Sequence, residues 1–428
     1  MKHSLKILIS LLFTLTASLE AYSQDSLTAI IAGNFLDLVE GKVKKDVLIV
    51  IKDGEIIKLT SASEKSNYPN LIDLSDYTVL PGLIDCHTHL TMNSYDKSFQ
   101  VWEAPIAAHG IIGTVNAKKT LEAGFTTVRD VWGDFYSDVA LRDEINKSTI
   151  PGPRMFVSGP ALSITGGHGD WEGGMSPQLE LKQDPASVAD GVDEVRKEVR
   201  LHIRNKVDLI KITATGGFGS SSIPGAASYS IEEMKIAVEE AKKSGLKVAA
   251  HAHGAEGIKN AIKAGVHSIE HGTLIDDEGI EMMKEQKVYL VMDLLAAYYD
   301  LIELNNDYSD KVLGKNNEQL YEQIETNFKK AYEKGILMAF GTDSGVYPHG
   351  RNAEQFRLME NAGMKPMDIL KTATINAAKL IGIDKHAGTI EVGKWADIIA
   401  VKGNPIEDIG VLEKVEFVMK NGKILKSN

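Results

Sequence analysis

Eight short apolar runs punctuate the middle of this 428-residue chain. They are Val79 to Ile84, Thr126 to Val131, Met155 to Ser158, Leu209 to Ile212, Val248 to Ala250, Ser268-Ile269, Val288 to Met292 and Leu337 to Phe340. Helix-like stretches lie between them, such as Thr114 to Glu122, Ser187 to Asn205, Ile231 to Ser244 and Ala255 to Ala264. Short buried strands alternating with helices are the pattern of a parallel sheet covered on its faces. Repeated eight times, the pattern predicts an α/β fold, a (β/α)8 TIM barrel, with an open doubly wound sheet as the alternative. The barrel is favoured because polar residues follow nearly every run. In a barrel those strand ends meet on one face.

The two ends of the chain read differently. Val47 to Ile51, a Lys52-Asp53-Gly54-Glu55 turn and Ile56-Ile57 form one hairpin pattern. Ala396 to Val401 is a strand, and Val415 to Met419, Asn421-Gly422 and Ile424-Leu425 form a second hairpin. Neither end has enough strands to stand alone. We expect them to share a small β-sandwich, residues 24–78 with 388–428, beside a barrel over 79–387. Met1 to Ser23 reads as a signal peptide: Lys2 and Lys6, then apolar Ile7 to Leu15, then Ala21-Tyr22-Ser23. Cleavage before Gln24 makes the chain secreted or periplasmic; an uncleaved anchor is the alternative. No other run is long enough for a membrane span.

Composition narrows the chemistry. A net charge of −12 argues against nucleic acid as a partner. The single cysteine, Cys86, excludes an internal disulfide and a thiolate zinc cluster. Any metal must then be held by His, Asp, Glu or a rarer ligand.

The strand ends offer such a set. Asp85-Cys86-His87-Thr88-His89 places two histidines on one side of an extended segment. Lys211 sits between Ile210 and Ile212, where burial disfavours its charge. Ala250-His251-Ala252-His253-Gly254, Ile269-Glu270-His271-Gly272 and Gly341-Thr342-Asp343-Ser344-Gly345 close the fifth, sixth and eighth runs. Each alone reads equally well as a hydrogen-bonded rim residue. Together, four histidines, a lysine and an aspartate can surround one or two divalent ions. Cys86 points away from its histidine neighbours and reads as packing rather than as a nucleophile.

In this ordered set the chain resembles the amidohydrolase superfamily of metal-dependent hydrolases. The resemblance is carried by Pro81-Gly82-Leu83-Ile84-Asp85-Cys86-His87-Thr88-His89, Ile210-Lys211-Ile212, His251, His271-Gly272-Thr273 and Gly341 to Gly345. Gly124 to Asp130, Thr165 to Asp170, Asn376 to Leu380 and Gly393 to Asp397 point to its branch of Xaa-Pro and related dipeptidases, which is imidazolonepropionase-like. The resemblance implies that His87 and His89 bind the more buried ion and His251 and His271 the second. It implies that Lys211, converted by carbon dioxide to N6-carboxylysine, bridges the two. Asp343 would complete the inner ion and handle protons. The ions are expected to be zinc, with manganese or cobalt also suited to such ligands. A hydroxide between them would attack an amide carbonyl polarised by the second ion. His168, in a glycine-rich loop, is expected to contact the substrate. His253 is expected in the pocket, although this branch often places a tyrosine there. His349 and Arg351 are candidates for binding a substrate carboxylate. The catalytic set is thus Asp343, Lys211 and His168.

Three readings follow. The first is a binuclear hydrolase of dipeptides, Xaa-Pro or related, or of N-acyl amino acids. Lys211 favours it, because a bridging carbamate serves two ions. The second is a one-metal deaminase or imidazolonepropionase-type hydrolase, which does not need the lysine; Glu256 stands near the fifth run but on the helix side. The third is a binding protein on a hydrolase scaffold, which would require a lost ligand. Lactones and phosphotriesters are further substrates for the same site. The resemblance also admits a homo-oligomer.

Overall fold

The computed structural model describes residues 27–95, 104–171, 187–218, 220, 222–306 and 315–427. The expected signal peptide, Met1 to Ser23, lies outside the described residues. The chain opens with four strands, β1 (Thr28–Asp37), β2 (Lys42–Lys52), β3 (Glu55–Ser61) and β4 (Asn70–Pro81). The parallel-strand region follows: β5 (Leu83–Thr88), β6 (Phe125–Asp130), β7 (Arg154–Val157), β8 (Leu162–Ser163), β9 (Ser187–Val188), β10 (Leu209–Thr213), β11 (Lys247–Gly254), β12 (Ser268–Leu274) and β13 (Tyr289–Val291). Three strands finish the chain, β14 (Ile398–Val401), β15 (Val415–Lys420) and β16 (Lys423–Ser427).

The two chain ends meet in one seven-stranded sheet, ordered β16-β15-β14-β4-β1-β2-β3. The seam is β14 against β4, antiparallel, with Ile398 opposite Pro81. Both hairpin turns have the backbone their sequences require. Asp53 and Gly54 have φ of 51° and 84°, and Asn421 and Gly422 have 52° and 74°. Two consecutive positive φ angles suit the right-handed strand twist, and Asp-Gly and Asn-Gly tolerate them. Ile30, Ile49, Ile398 and Phe417, drawn from both ends, share one apolar cluster.

The first apolar run does not form one strand. Val79 to Pro81 finish β4 in the end sheet, and Leu83 begins the parallel set. The break falls at Gly82, where a Cβ would stand 2.1 Å from Thr126 Oγ1. Only glycine lets the chain pass that close while it changes sheets.

β5 to β7 form a three-stranded parallel sheet, and the others one ordered β13-β12-β11-β10-β8-β9. Hydrogen bonds join the two sheets on both sides. Asp208 N donates to Val157 O at 2.7 Å. Residues 337–340 lie between β13 and β5: Leu290 N donates to Leu337 O at 2.8 Å, and Cys86 N to Phe340 O at 2.8 Å. The helices return the chain between strands, among them α1 (Ile106–Glu122), α2 (Ser137–Asn146), α3 (Gly191–Arg204), α4 (Ile231–Lys243) and α5 (Ala255–Ala264). α4 starts at a capping box in which Ser230 and Glu233 satisfy each other's backbone N–H. Every residue of β6 and β10 is buried, as expected of strands covered on both faces. Among the described residues no helix is long and apolar enough to cross a membrane.

Gly254 ends β11 directly after His253. A Cβ there would lie 2.0 Å from Gly225 O, a backbone atom that cannot swing aside. Gly254→Ala should therefore cost about 1–3 kcal/mol of stability, read as a lower urea midpoint at unchanged m.

Candidate metal centre and active site

The C-terminal strand ends surround a cavity of about 390 Å³. His87 comes from β5 and His89 directly follows it, Lys211 comes from β10, His251 and His253 from β11, and His271 from β12. Asp343 joins them from the turn after residues 337–340, and all seven line the cavity. Two of these side chains sit on strained backbone: His271 has φ of 69° and Asp343 of 58°. Such conformations cost of order 1–3 kcal/mol each and gather at functional sites.

Three of the candidate ligand histidines, His87, His89 and His271, have one ring nitrogen tied back. His87 Nδ1 lies 3.0 Å from Glu270 Oε2, and His271 Nδ1 2.9 Å from Asp293 Oδ1. His89 Nδ1 lies 3.4 Å from Trp132 O. The other nitrogen of His87 and of His89 faces Asp343 Oδ1, at 3.3 Å from His87 Nε2 and 2.8 Å from His89 Nε2. With Nδ1–H donating to an acceptor, Nε2 of a neutral imidazole is itself an acceptor. Two ring nitrogens and a carboxylate oxygen meeting at one point can share a cation, either a proton or a metal ion. Further, His251 Nε2 is buried with no hydrogen-bond partner, which a metal would satisfy. His87, His271 and Asp343 bring ligand atoms close enough for one ion. The donor set fits divalent metal.

Electrostatics agree. Burial pushes His251 and His271 well below the ordinary imidazole range. It pushes His253 down to about 3 and His168 to about 4, with Lys211 adding to the shift. These rings are neutral, the form that binds metal. Burial also pushes the Lys211 ammonium down to about 8. Burial would raise Asp343, yet His87 and His89 hold its carboxyl well below the usual range. Asp293 is pushed up by burial and by Asp343.

His253 stands beside the candidate ligands His251 and His271. His251, His253 and His271 are close enough for a shared ion. However, the His253 ring is stacked on His271 at 4.6 Å with planes 23° apart. Nearly parallel stacked rings do not aim their lone pairs at one point. His253 Nδ1 lies 2.9 Å from Thr273 Oγ1. His168 reaches the cavity from its loop, stacked on His251 at 4.3 Å, with Nδ1 buried and unpartnered.

The other expected residues lie elsewhere. Neither His349 nor Arg351 is among the cavity's lining residues. His349 Nε2 donates to Met92 O at 3.2 Å, and Arg351 is held by Glu303 and Glu354 at 2.8 and 2.7 Å. Tyr298 and Tyr299 pack on Tyr321 and Tyr347 and do not line the cavity. Cys86 is buried, and burial pushes its thiol up to about 12; it is no nucleophile. Glu256 is exposed in the first turn of α5.

The outer wall was not foreseen from sequence. Trp132, Trp171, Phe218, Leu301 and Leu304 line it, with Trp132 and Trp171 5.8 Å apart. Asp293 and Glu270 were missed as well. Asp293 follows β13, so the rule that polar strand-end residues face the mouth would have found it.

Comparison with known proteins agrees with this geometry. The model of the Amidohydrolase family matches residues 78–425. A crystal structure of a Xaa-Pro dipeptidase with methionine bound in its active site is 38% identical, with a TM-score of 0.86, covering 93% of this chain and 99% of that one. Ochratoxinase of Aspergillus niger is 33% identical over 95% of this chain and 88% of its own length. Imidazolonepropionase of Fusobacterium nucleatum subsp. nucleatum is 26% identical over 90% of both chains.

Proposed function

Because the chain belongs to the amidohydrolase family, we propose that it is a secreted hydrolase that uses two divalent ions. Its substrates would be dipeptides, of the Xaa-Pro or a related type, or N-acyl amino acids, cleaved at the amide bond. The observation that carries this reading is the convergence of His87, His89, Lys211, His251, His271 and Asp343 on one buried cavity. On this reading the parallel strands close into a (β/α)8 barrel, with the end sheet as an accessory β-sandwich. His87, His89 and Asp343 would hold the inner ion, His251 and His271 the outer, and Lys211 both, as its carbamate. Zinc suits these nitrogen and oxygen ligands.

The ions supply Lewis acidity, toward water and toward a substrate carbonyl alike. The residues do the rest. Asp343, held ionised by His87 and His89, takes a proton from the attacking water and delivers it to the departing nitrogen as the C–N bond breaks. Neutral His168 and His253 present ring N–H groups to the substrate's oxygens. Trp132, Trp171, Phe218 and Leu301 favour an apolar or aromatic side chain on the substrate. The one-metal alternative is weaker: it leaves the buried Lys211 without a task, and Glu256 is exposed.

The test is the secreted chain loaded with zinc in bicarbonate, offered a panel of dipeptides and N-acetyl amino acids. Free amino acids should appear, and a chelator should abolish them. Silence from protein carrying two ions would remove the amidase reading and turn attention to lactones, phosphotriesters and ring amides. His253→Phe keeps the stacked ring but removes its polar atoms. It should raise KM about tenfold at unchanged metal content, the cost of one lost hydrogen bond.

A further inference from the structure

Beneath the ligands lies a complete ion pair that no step above uses. Glu270 and Arg129 are both buried. Arg129 Nη2 donates to Glu270 Oε1 at 2.7 Å, Nη1 to Ser268 Oγ at 3.0 Å, and Nε to Cys86 O at 2.6 Å. Ser268 Oγ donates to the same Glu270 oxygen at 2.5 Å. The remaining oxygen, Oε2, meets His87 Nδ1 at 3.0 Å. One unit thus ties β5, β6 and β12 together.

Packing alone does not account for it. A buried ion pair is costly to desolvate, and apolar side chains of similar volume often hold a fold as well. What apolar side chains cannot do is accept a ring N–H. We infer that Glu270, clamped by Arg129, is a positioning residue that fixes the tautomer and orientation of His87. The inference rests on the metal reading above. Glu270 accepts the Nδ1–H, so the lone pair of His87 lies on Nε2, the atom that faces Asp343 Oδ1. Arg129 has a separate task. An unclamped carboxylate this near would be free to swing and bind an ion itself. Arg129 Nη2 and Ser268 Oγ, one donor from each side chain, both hold Glu270 Oε1 and leave Oε2 to serve His87.

Glu270→Gln alone would strand a buried guanidinium, so the test removes both partners. Arg129→Met with Glu270→Met keeps the volume without either charge. Zinc alone is titrated calorimetrically into metal-free wild type and double variant, and cobalt-loaded samples are compared by visible absorption. The variant should stay folded by circular dichroism and bind the outer ion as wild type does. Its inner-site affinity should fall about ten- to a hundredfold, with altered cobalt bands. Equal affinities and identical bands would overturn the inference while leaving the metal reading intact. A wild type that binds no zinc would sink both, and would be recognised because the wild type itself fails. Should the double variant not fold, zinc-loaded wild type still decides by nitrogen-15 NMR of His87. A slowly exchanging Nδ1 proton supports the tether; zinc on Nδ1, or an Nδ1 proton that exchanges as if exposed, overturns it.

Discussion

Asp343→Asn should reduce kcat/KM about 10³-fold while leaving the thermal midpoint of the metal-free protein nearly unchanged. The asparagine is isosteric, so the turn after Phe340 keeps its shape, including the left-handed backbone at this position. Its φ of 58° is one that asparagine tolerates as well as aspartate does. What is lost is a carboxylate that His87 and His89 hold ionised against burial. An amide accepts no proton at neutral pH, and general acid–base catalysis by a placed group contributes typically about 10²–10⁴-fold. The loss should fall on kcat more than on KM, because the proton moves only as the amide bond breaks. Metal analysis is the necessary companion, since the carboxylate is also a candidate ligand. Loss of turnover with metal retained separates proton handling from ligation. Near-normal turnover would remove Asp343 from the mechanism.

Much of this site was legible because its residues stand at the ends of apolar runs. A run of buried residues fixes where a strand is, and the first polar residues beyond it must then face the mouth or the rim. That reasoning located His87, His89, His251, His271 and Asp343, while Lys211 stood out as a charge inside a run; all six line one cavity. It failed where the backbone departs from simple alternation. Glu270 and His271 are neighbours and should face opposite sides of a strand. The positive φ at His271 turns the chain, and both side chains reach the interior. It failed again beyond Asp343, where the loop folds so that His349 serves Met92 and Arg351 serves two glutamates. Nothing in a sequence marks which way such a loop closes. The Gly82 break did carry a signal, the Pro81-Gly82 dipeptide inside the apolar run, and the packing of Thr126 is what requires the glycine there. The aromatic wall comes from loops far apart in the chain, so no local pattern announces it.

Lys211→Ala should lower kcat/KM on the order of 10³-fold or more and leave fewer than two zinc ions per chain. The argument begins with burial. Lys211 is about as inaccessible as any side chain in the protein, 1% exposed, and burial brings its ammonium down to about 8. At pH 7 about a tenth of the amine is then neutral, against a few parts in ten thousand for an exposed lysine. Only the neutral amine attacks carbon dioxide: the C–N bond forms, the nitrogen gives up a proton, and an anionic carbamate results. The sign of the pH dependence follows. At fixed dissolved carbon dioxide, zinc reactivation of metal-free protein should speed up as pH rises from 6 toward 8, because the neutral fraction rises over that interval. An alanine has no nitrogen to carboxylate, so on the proposed reading both ions would lose a shared ligand at once. Short carboxylic acids such as acetate should then restore part of the activity to Lys211→Ala by filling the vacated space with a carboxylate, and should do nothing for Asp343→Asn. Intact mass of the native wild type should exceed that of the variant by more than the side-chain difference, by the mass of one carbon dioxide. A variant that keeps two ions and full turnover would remove the carbamate from the site and leave Lys211 as a buried amine that merely lines the cavity.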